Sequence, residues 1–226
     1  DLILRGRGVA LKKPNGQPRP IGVGEVMLNL SLAAVVKQEE ALIKSLLHQD
    51  DYGFRTSDGA VRAAFRANSI LEDAAQTDKH IIGINIDIAN AYGTTSRADV
   101  LQHLITKLPR LVRPFLFTHG KPHTVHFPNI DPIQQKEGLT QGDPAAPAYA
   151  QLFYNSMCQK VREEHSPLLI GSFFDDIFIV DEFDKALASF RSLKPLFEAA
   201  GMRLNMGLGK TEVYSNQTLT LDEAAS

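Results

Sequence analysis

Apolar and polar residues alternate with a period of two between residues 81 and 88. The isoleucines at the even positions share one face, and Gly83, Asn85 and Asp87 share the other. Such alternation predicts a β-strand that packs one face against a core. Asp87 therefore projects from the face that is not committed to isoleucine packing, at the carboxyl end of the strand.

Two further segments have the pattern of β-hairpins. Residues 9–23 contain two extended arms around Asn15-Gly16, a dipeptide that strongly favours a tight turn. Residues 168–181 form an apolar run that is interrupted by Asp175 and Asp176. We expect the second hairpin to carry these two acids.

Helical spacing of apolar residues or a high content of helix formers marks five more segments. These segments are residues 25–48, 59–76, 97–108, 144–164 and 183–200. Ser96 and Asp99 have the spacing of a capping box before the third helix, and Asp143 is a candidate N-cap of the fourth, with Pro144 in its first position. The order strand, helix, strand pair, helix, strand predicts an α+β fold.

The stretch from residue 109 to residue 135 has no regular period and contains several histidines and prolines. His119, His123 and His126 have a spacing loosely like that of metal ligands, but no cysteine accompanies them and a fourth ligand is not apparent. We interpret them as residues of a solvated hairpin.

Composition narrows the class of protein. With 226 residues, of which 43% are hydrophobic, the chain can form one large domain or two intimate subdomains. A single cysteine excludes an internal disulfide framework, and no apolar run is long enough to span a bilayer, so we expect an intracellular protein, nuclear or cytoplasmic, without a membrane partner. The net charge of −2 argues mildly against nucleic-acid binding, although charge distribution matters more than the sum.

The pair Asp175-Asp176 is the strongest chemical signal. Two adjacent carboxylates in an apolar strand repel each other and lose hydration, and a divalent cation such as Mg²⁺ offsets both costs. An acidic pair also occurs in ordinary hairpin turns, so the pair alone leaves both interpretations open. If the strand at 81–88 lies beside this hairpin, Asp87 becomes a third carboxylate at the same place.

Four motifs occur in a characteristic order along the chain. They are Asp87-Ile88-Ala89-Asn90-Ala91-Tyr92, Gly138-Leu139-Thr140-Gln141-Gly142-Asp143-Pro144-Ala145-Ala146-Pro147, Phe173-Phe174-Asp175-Asp176, and Gly201-Met202-Arg203-Leu204-Asn205 with Lys210-Thr211-Glu212. Each is weak to moderate alone, but together they resemble the palm and fingers of reverse transcriptases, most closely the branch of non-LTR retrotransposons and group II introns. The resemblance runs from about Lys12 to about Glu212.

The resemblance implies a fold and a domain organisation. It implies a right-hand polymerase palm, with an antiparallel sheet backed by helices, in residues 81–226, and fingers made of a β-hairpin and helices in residues 1–80. It leaves open whether elements of the fingers are interleaved around residues 110–145. In this family a thumb would follow, so we expect the chain to be a fragment or truncated core.

The resemblance also implies a catalytic site. In this family, carboxylates corresponding to Asp87 and Asp175 bridge two metal ions, and one corresponding to Asp176 supports the ion on the primer side. The implied cofactor is therefore a pair of Mg²⁺ ions, with Mn²⁺ as an alternative. Lys210 matches a family lysine that is proposed to protonate the leaving pyrophosphate.

Substrate contacts are implied in the same way. Tyr92 matches the aromatic residue under the incoming sugar, where a planar ring would clash with a 2′-hydroxyl and favour deoxynucleotides. Gln141 and Gly142 match the segment that packs against the incoming base and sugar. The last contacts flank the fingertip turn, where a lysine and an arginine grip the triphosphate in the family: Lys12 or Lys13, with Arg19.

One residue departs from the family pattern. The position before the acidic pair is usually alanine, methionine or valine, and here it is Phe174. A bulky ring beside the primer end could crowd the site or change fidelity.

The implied function is that of the RNA-directed DNA polymerase core of a retroelement, which adds dNTPs to a DNA primer on an RNA template. Two alternatives remain: an RNA-dependent RNA polymerase, which Tyr92 disfavours, and a non-catalytic scaffold that binds nucleic acid or protein. The oligomeric state is open.

Overall fold

The computed structural model describes residues 6–12, 18–129, 131–207 and 209–219, with only the main chain described at residues 18–20. The helices are α1 (Val26–Gln38), α2 (Glu40–Leu46), α3 (Gly59–Gln76), α4 (Ala91–Thr94), α5 (Arg97–Lys107), α6 (Pro109–His119), α7 (Ala146–His165) and α8 (Phe183–Ala199). The strands are β1 (Gly6–Lys12), β2 (Pro18–Val23), β3 (Ile81–Ile86), β4 (Ile88–Ala89), β5 (His123–His126), β6 (Ile133–Gln135), β7 (Leu169–Phe173), β8 (Asp176–Glu182), β9 (Arg203–Leu204) and β10 (Glu212–Ser215). These sheets and helices confirm the predicted α+β class.

The chain divides into two compact units that alternate along the sequence. The first unit contains the described residues up to Leu47 together with Asn90–Phe153. The second unit contains His48–Ala89 together with the described residues from Tyr154 onward. These units are defined by packing, not by function, so the assignment of fingers to residues 1–80 and palm to residues 81–226 stays a prediction.

The sheet of the first unit has the strand order β2-β1-β5-β6. Strand β1 pairs antiparallel with β2, with Leu11 opposite Arg19, and its other edge pairs in parallel with β5. The first predicted hairpin is therefore present. Its turn at Asn15-Gly16 lies outside the described residues.

The single helix predicted over residues 25–48 is instead two helices that meet at Glu39. The main chain of Glu39 leaves the helical conformation, with ψ near 1°. The side chain of Glu39 is only 7% exposed and accepts a hydrogen bond of 3.1 Å from Arg110 Nη1 in α6. The break in the helix thus coincides with a polar contact that helical periodicity does not encode.

The expectation of irregular structure over residues 109–135 is wrong, because α6, β5 and β6 occupy most of it. Pro109 stands in the first turn of α6, where proline is tolerated, and Leu111 and Phe115 form a buried face at helical spacing. Pro114 lies inside the helix, and the Thr118 hydroxyl donates to its carbonyl oxygen at 3.1 Å.

The interpretation of the histidines as solvated is also wrong in part. His119 continues the buried face of α6, is 2% exposed, and stacks on the Phe115 ring at 5.2 Å. His123 is half-buried in β5, whereas His126 is exposed as expected. Burial follows from the helix, because α6 carries His119 to its inner face at its last turn.

The sheet of the second unit is antiparallel and has the strand order β10-β3-β8-β7. Helices α3 and α8 pack on it through small and apolar residues, among them Ala63 and Ala67 of α3 and Leu193 and Phe197 of α8. This arrangement is the antiparallel sheet backed by helices that the sequence predicts. It places β3 in the interior of the sheet.

The alternation in β3 describes its burial only partly. Residues Ile81–Ile84 are all buried, Gly83 included, and only Asn85 is exposed within the strand. A Cβ atom on Gly83 would lie 2.0 Å from Tyr214 Cζ, so the glycine makes room for a ring from neighbouring β10. Both faces of β3 are therefore covered over most of its length. In the described part of the chain, no helix is both long and apolar enough to cross a bilayer.

Candidate active site

Two neighbouring strands of the second unit, β3 and β8, bring acidic residues to the same end of the sheet. Strands β3 and β8 pair so that Ile86 lies opposite Ile177. Asp87 directly follows Ile86 and Asp176 directly precedes Ile177, so the two acids lie at the same end of this antiparallel ladder. Asp175 immediately precedes Asp176 in the turn between β7 and β8.

The electrostatics of Asp176 reflect this crowding. Burial raises the pKa of its carboxyl group, and the negative charges of Asp175 and Asp87 raise it further, while the positive charge of Lys210 acts in the opposite direction. The three acids and the lysine therefore interact electrostatically. A bound cation would relieve the repulsion among the acids.

Asp87 is held by the segment that joins β9 to β10. Its N–H donates to Thr211 Oγ1 at 3.3 Å, and its carbonyl oxygen accepts from the N–H of Asn205 at 2.8 Å. Lys210 Nζ lies 3.7 Å from Asp87 Oδ1. Strand β3 pairs with β10 on one side and with β8 on the other. The segment before β10 therefore places Lys210 near Asp87, and the hairpin of β8 places Asp175 and Asp176 near it from the other side.

Phe174 takes an unusual main-chain conformation. Phe173 pairs with Asp176, so the hairpin closes through a two-residue turn formed by Phe174 and Asp175. Such turns need a positive φ at the first residue, and Phe174 has φ of +56°. Its ring packs edge-on against Phe173 at 4.9 Å. The sequence departure at this position is therefore a bulky residue in a turn that favours glycine or asparagine.

The carboxylates fit a hard divalent cation by their chemistry, because oxygen donors suit Mg²⁺ and Mn²⁺. Asp87, Asp175 and Asp176 supply such oxygen donors at this end of the sheet. In the described part of the chain, no group of three acidic, histidine or cysteine side chains is already arranged at metal-binding distances. The acids are thus neighbours in the fold but not a preassembled ligand set.

In the first unit, Tyr92 lies in the short helix α4 and borders a cavity of about 290 Å³. The wall of the cavity combines apolar side chains such as Phe127 and Ile133 with polar ones such as Asn90 and Gln141. Two residues predicted to contact the substrate, Tyr92 and Gln141, therefore share one concave surface.

Gln141 and Gly142 lie in the loop that precedes α7. The carbonyl oxygen of Gln141 accepts from the N–H of Gly22 at 2.8 Å. Gly142 has φ of +108°, and a Cβ atom there would lie 2.4 Å from Gly22 O. The glycine is thus required by close approach to strand β2, and its contact with a substrate stays a prediction.

The predicted triphosphate contacts are described only in part. Lys12 is the last residue of β1 and is exposed. Lys13 lies outside the described residues, and for Arg19 only the main chain in β2 is described. Their roles stay predictions.

Arg97 is the residue of this region that the sequence patterns do not identify. It opens α5 within the capping box, where Ser96 Oγ accepts from the N–H of Asp99 at 3.3 Å as predicted. A cation in the first turn of a helix is unfavourable to the helix dipole. That mismatch is the signal that could have pointed to Arg97.

A sequence model of the family described as reverse transcriptase (RNA-dependent DNA polymerase) matches residues 11–220. The chain belongs to the reverse transcriptase family. The predicted family is therefore confirmed, whereas its branch within reverse transcriptases stays a prediction. A search of curated protein sequences gives no match.

Solved structures similar to this reverse transcriptase chain include telomerases from two Candida species. Apo telomerase from Candida tropicalis, truncated from its C-terminal domain, is 14% identical with a TM-score of 0.69, and the match covers 96% of this chain and 51% of that one. Telomerase from Candida albicans, solved with a fragment of telomeric RNA, is 12% identical with a TM-score of 0.63, over 95% of this chain and 43% of that one. The chain thus shares their fold and spans about half the length of either.

Proposed function

We propose that the chain is the polymerase core of an RNA-directed DNA polymerase, and that it adds dNTPs to a primer 3′-hydroxyl by phosphoryl transfer assisted by two metal ions. The observation that carries this proposal is the electrostatic effect of both Asp175 and Asp87 on Asp176 at the point where the β3–β8 ladder ends, at Ile86 opposite Ile177. Membership of the reverse transcriptase family gives this acidic edge its chemical context.

In the proposed reaction, Asp87 and Asp175 would hold both divalent ions, and Asp176 would hold the ion on the primer side. When bound, such ions activate the attacking hydroxyl and stabilise charge on the leaving oxygen. Lys210 is a mobile ammonium beside Asp87 and can donate a proton to the departing pyrophosphate. Asn205 and Thr211 hold the main chain of Asp87 through hydrogen bonds to its carbonyl oxygen and its N–H.

The first unit would supply the contacts to the incoming nucleotide. The Tyr92 ring would pack under the sugar and exclude a 2′-hydroxyl, so that dNTPs are preferred over ribonucleotides. Gln141 would hydrogen-bond the nucleotide through its side-chain amide. The cavity that borders both residues supports this role. Lys12 or Lys13, together with Arg19, would bind the triphosphate.

The proposed polymer partners are an RNA template and a DNA primer. One similar structure, the telomerase from Candida albicans, was solved with an RNA fragment, which makes RNA a reasonable ligand for a chain of this fold. We further propose that the chain derives from a retroelement of the non-LTR or group II type, because the four motifs resemble that branch most closely.

Primer extension on poly(rA)/oligo(dT) with Mg²⁺ tests the proposal in the full-length protein. We expect the wild type to extend the primer and Asp175→Ala to lose at least about a hundredfold in rate. Asp184→Ala is the matched control, because Asp184 is an exposed acid at the start of α8 in the same unit.

Equal activity of wild type and Asp175→Ala would contradict the proposed site. Extension with ribonucleotides as efficient as with dNTPs would instead favour an RNA-dependent RNA polymerase. No extension by the wild type, with primer–template binding retained, would favour a scaffold without catalysis.

A further inference from the structure

Arg97 donates hydrogen bonds to three main-chain carbonyl groups of the first unit. Its Nε donates to Gly138 O at 2.7 Å, its Nη1 to His119 O at 3.1 Å, and its Nη2 to Glu137 O at 3.4 Å. The rigid fork of a guanidinium can serve several acceptors at once, which a lysine ammonium on its flexible stem cannot do in the same geometry.

Two of these acceptors begin the segment that carries Gln141 and Gly142. We call residues 137–143 the nucleotide loop. Two main-chain hydrogen bonds hold the loop further along: the N–H of Leu139 donates to Tyr92 O at 2.6 Å, and the N–H of Gly22 donates to Gln141 O at 2.8 Å. Arg97 therefore holds the first residues of the nucleotide loop, and main-chain hydrogen bonds hold Leu139 and Gln141.

The third acceptor ties Arg97 to the middle of the same loop. His119, whose carbonyl oxygen accepts from Arg97, also receives the N–H of Thr140 at its Nε2 atom, at 3.4 Å. Gly138 has φ of +70°, and a Cβ atom there would lie 2.2 Å from Gly93 O. The nucleotide loop thus packs closely against α4, the helix that carries Tyr92. Arg97, at the start of α5, holds the loop in this position through its hydrogen bonds to the loop.

We propose that Arg97 is a positioning residue that holds the nucleotide loop in register with Tyr92, and thereby sets the affinity for the incoming nucleotide. This inference rests on the proposed function, because it assigns Gln141 and Tyr92 to nucleotide binding. Arg97 acts through the main chain of the loop and does not itself contact the substrate.

The test compares Arg97→Lys and Arg97→Ala with wild type in the full-length protein. Hydrogen–deuterium exchange measures the protection of the nucleotide loop, and steady-state primer extension measures KM and kcat for dTTP. Leu104→Ala is the matched control, because Leu104 is a buried residue of the same helix and makes none of these hydrogen bonds.

We expect exchange at residues 137–141 to be at least about tenfold faster in both arginine variants, since hydrogen bonds that hold the loop are lost. The KM for dTTP should rise about tenfold in Arg97→Ala, less in Arg97→Lys, with kcat within about twofold of wild type. In Leu104→Ala, amide exchange should become faster without a preference for the nucleotide loop, and the KM for dTTP should not change.

Unchanged exchange in the nucleotide loop of Arg97→Ala would overturn the inference. A fall in kcat at constant KM would also overturn it, because a misplaced nucleotide loop must weaken nucleotide binding first. If the wild type bound primer–template but did not polymerise, the proposed function would fail and, with it, the assignment of Arg97 to nucleotide binding. The exchange experiment would still decide whether Arg97 holds the loop.

Discussion

Lys210 Nζ lies 3.7 Å from Asp87 Oδ1, with both side chains partly exposed. The ammonium comes from the segment before β10, and the carboxylate stands at the end of β3. The lysine therefore partly neutralises the acid that is expected to bind divalent ions. A metal ion that binds to Asp87 must therefore compete with the ammonium group of Lys210 for the carboxylate.

Replacing Lys210 with methionine should tighten divalent-ion binding while slowing catalysis. The charge that opposes the ion is removed, and because the pair is partly exposed, we expect only about a two- to tenfold fall in the Kd for Mn²⁺. Isothermal titration with Mn²⁺ at low ionic strength measures this change. Lys185→Met, which removes a lysine paired with Glu182 elsewhere in the same unit, should leave the Kd unchanged. Weaker Mn²⁺ binding by Lys210→Met would contradict the expectation.

Tyr92→Val should relax sugar selectivity. If the ring excludes the 2′-hydroxyl, its loss should raise the efficiency of UTP relative to dTTP by about tenfold or more. Tyr92→Phe keeps the ring and should retain the selectivity of wild type. Primer extension with each nucleotide gives the ratio of kcat/KM values, and an unchanged ratio in Tyr92→Val would argue against the gate.

Phe174 offers a test of main-chain strain in the acidic hairpin. At φ of +56°, a residue with a Cβ atom costs about 1 kcal/mol more than glycine. Alanine and glycine both remove the phenylalanine ring, so the loss of its contact with Phe173 cancels between them. We therefore expect Phe174→Gly to be about 1 kcal/mol more stable than Phe174→Ala in urea unfolding.

The order should reverse at an ordinary strand position. Asn85 is exposed in β3, and there glycine should be less stable than alanine by about 0.5–1 kcal/mol. If Phe174→Ala were the more stable of its pair, the two-residue turn described for Phe174 and Asp175 would be incorrect.

His119 and Asp143 give the first unit a pH dependence with opposite signs. Burial, aided by the charges of Arg97 and His123, lowers the pKa of His119 to about 3, and burial raises the pKa of Asp143 to about 6. Below about pH 6.5 the unfolded chain protonates His119 and the folded chain does not, so this residue costs stability as pH falls. Asp143 does the reverse, because its folded form takes up a proton below about pH 6.

Variants separate the two contributions. Relative to wild type, His119→Gln should gain about 2 kcal/mol in the free energy of unfolding between pH 7 and pH 5, and Asp143→Asn should lose about 1 kcal/mol. Urea unfolding at both pH values measures these differences. Because His119 Nε2 lies 3.6 Å from Asp143 Oδ2, the double variant is measured as well, to obtain the coupling between the two groups. Changes of the same sign in both variants would contradict the assigned protonation states.

The second unit is the part of the fold that the sequence describes best. The period of two in residues 81–88 and the apolar run around Asp175 both predict strands that the structure contains as β3, β7 and β8. These patterns are local: the alternation in residues 81–88 locates the strand although it does not show that Gly83 is buried, and the continuous apolar run locates β7 and β8. The predicted cap of α5 by Ser96 is also confirmed, because it depends only on residues three positions apart.

Contacts between distant segments account for what the sequence missed. His119 is buried because it lies on the inner face of α6. The sequence does not predict this helix, because Pro109 and Pro114 lie within it and proline normally indicates the end of a helix. The burial of Gly83 depends on Tyr214, which is far along the chain. The role of Arg97 depends on carbonyl groups, which every residue carries and no sequence pattern distinguishes.

Diffraction from crystals grown with Mn²⁺, primer–template and a non-hydrolysable dNTP analogue would show whether the three acids hold metal ions, because anomalous scattering locates manganese. We expect two Mn²⁺ ions about 4 Å apart, held jointly by the carboxylates of Asp87 and Asp175, with Asp176 beside the ion nearer the primer. The proposed site would be wrong if the carboxyl groups of Asp87 and Asp175 stood more than about 8 Å apart and no manganese lay between them.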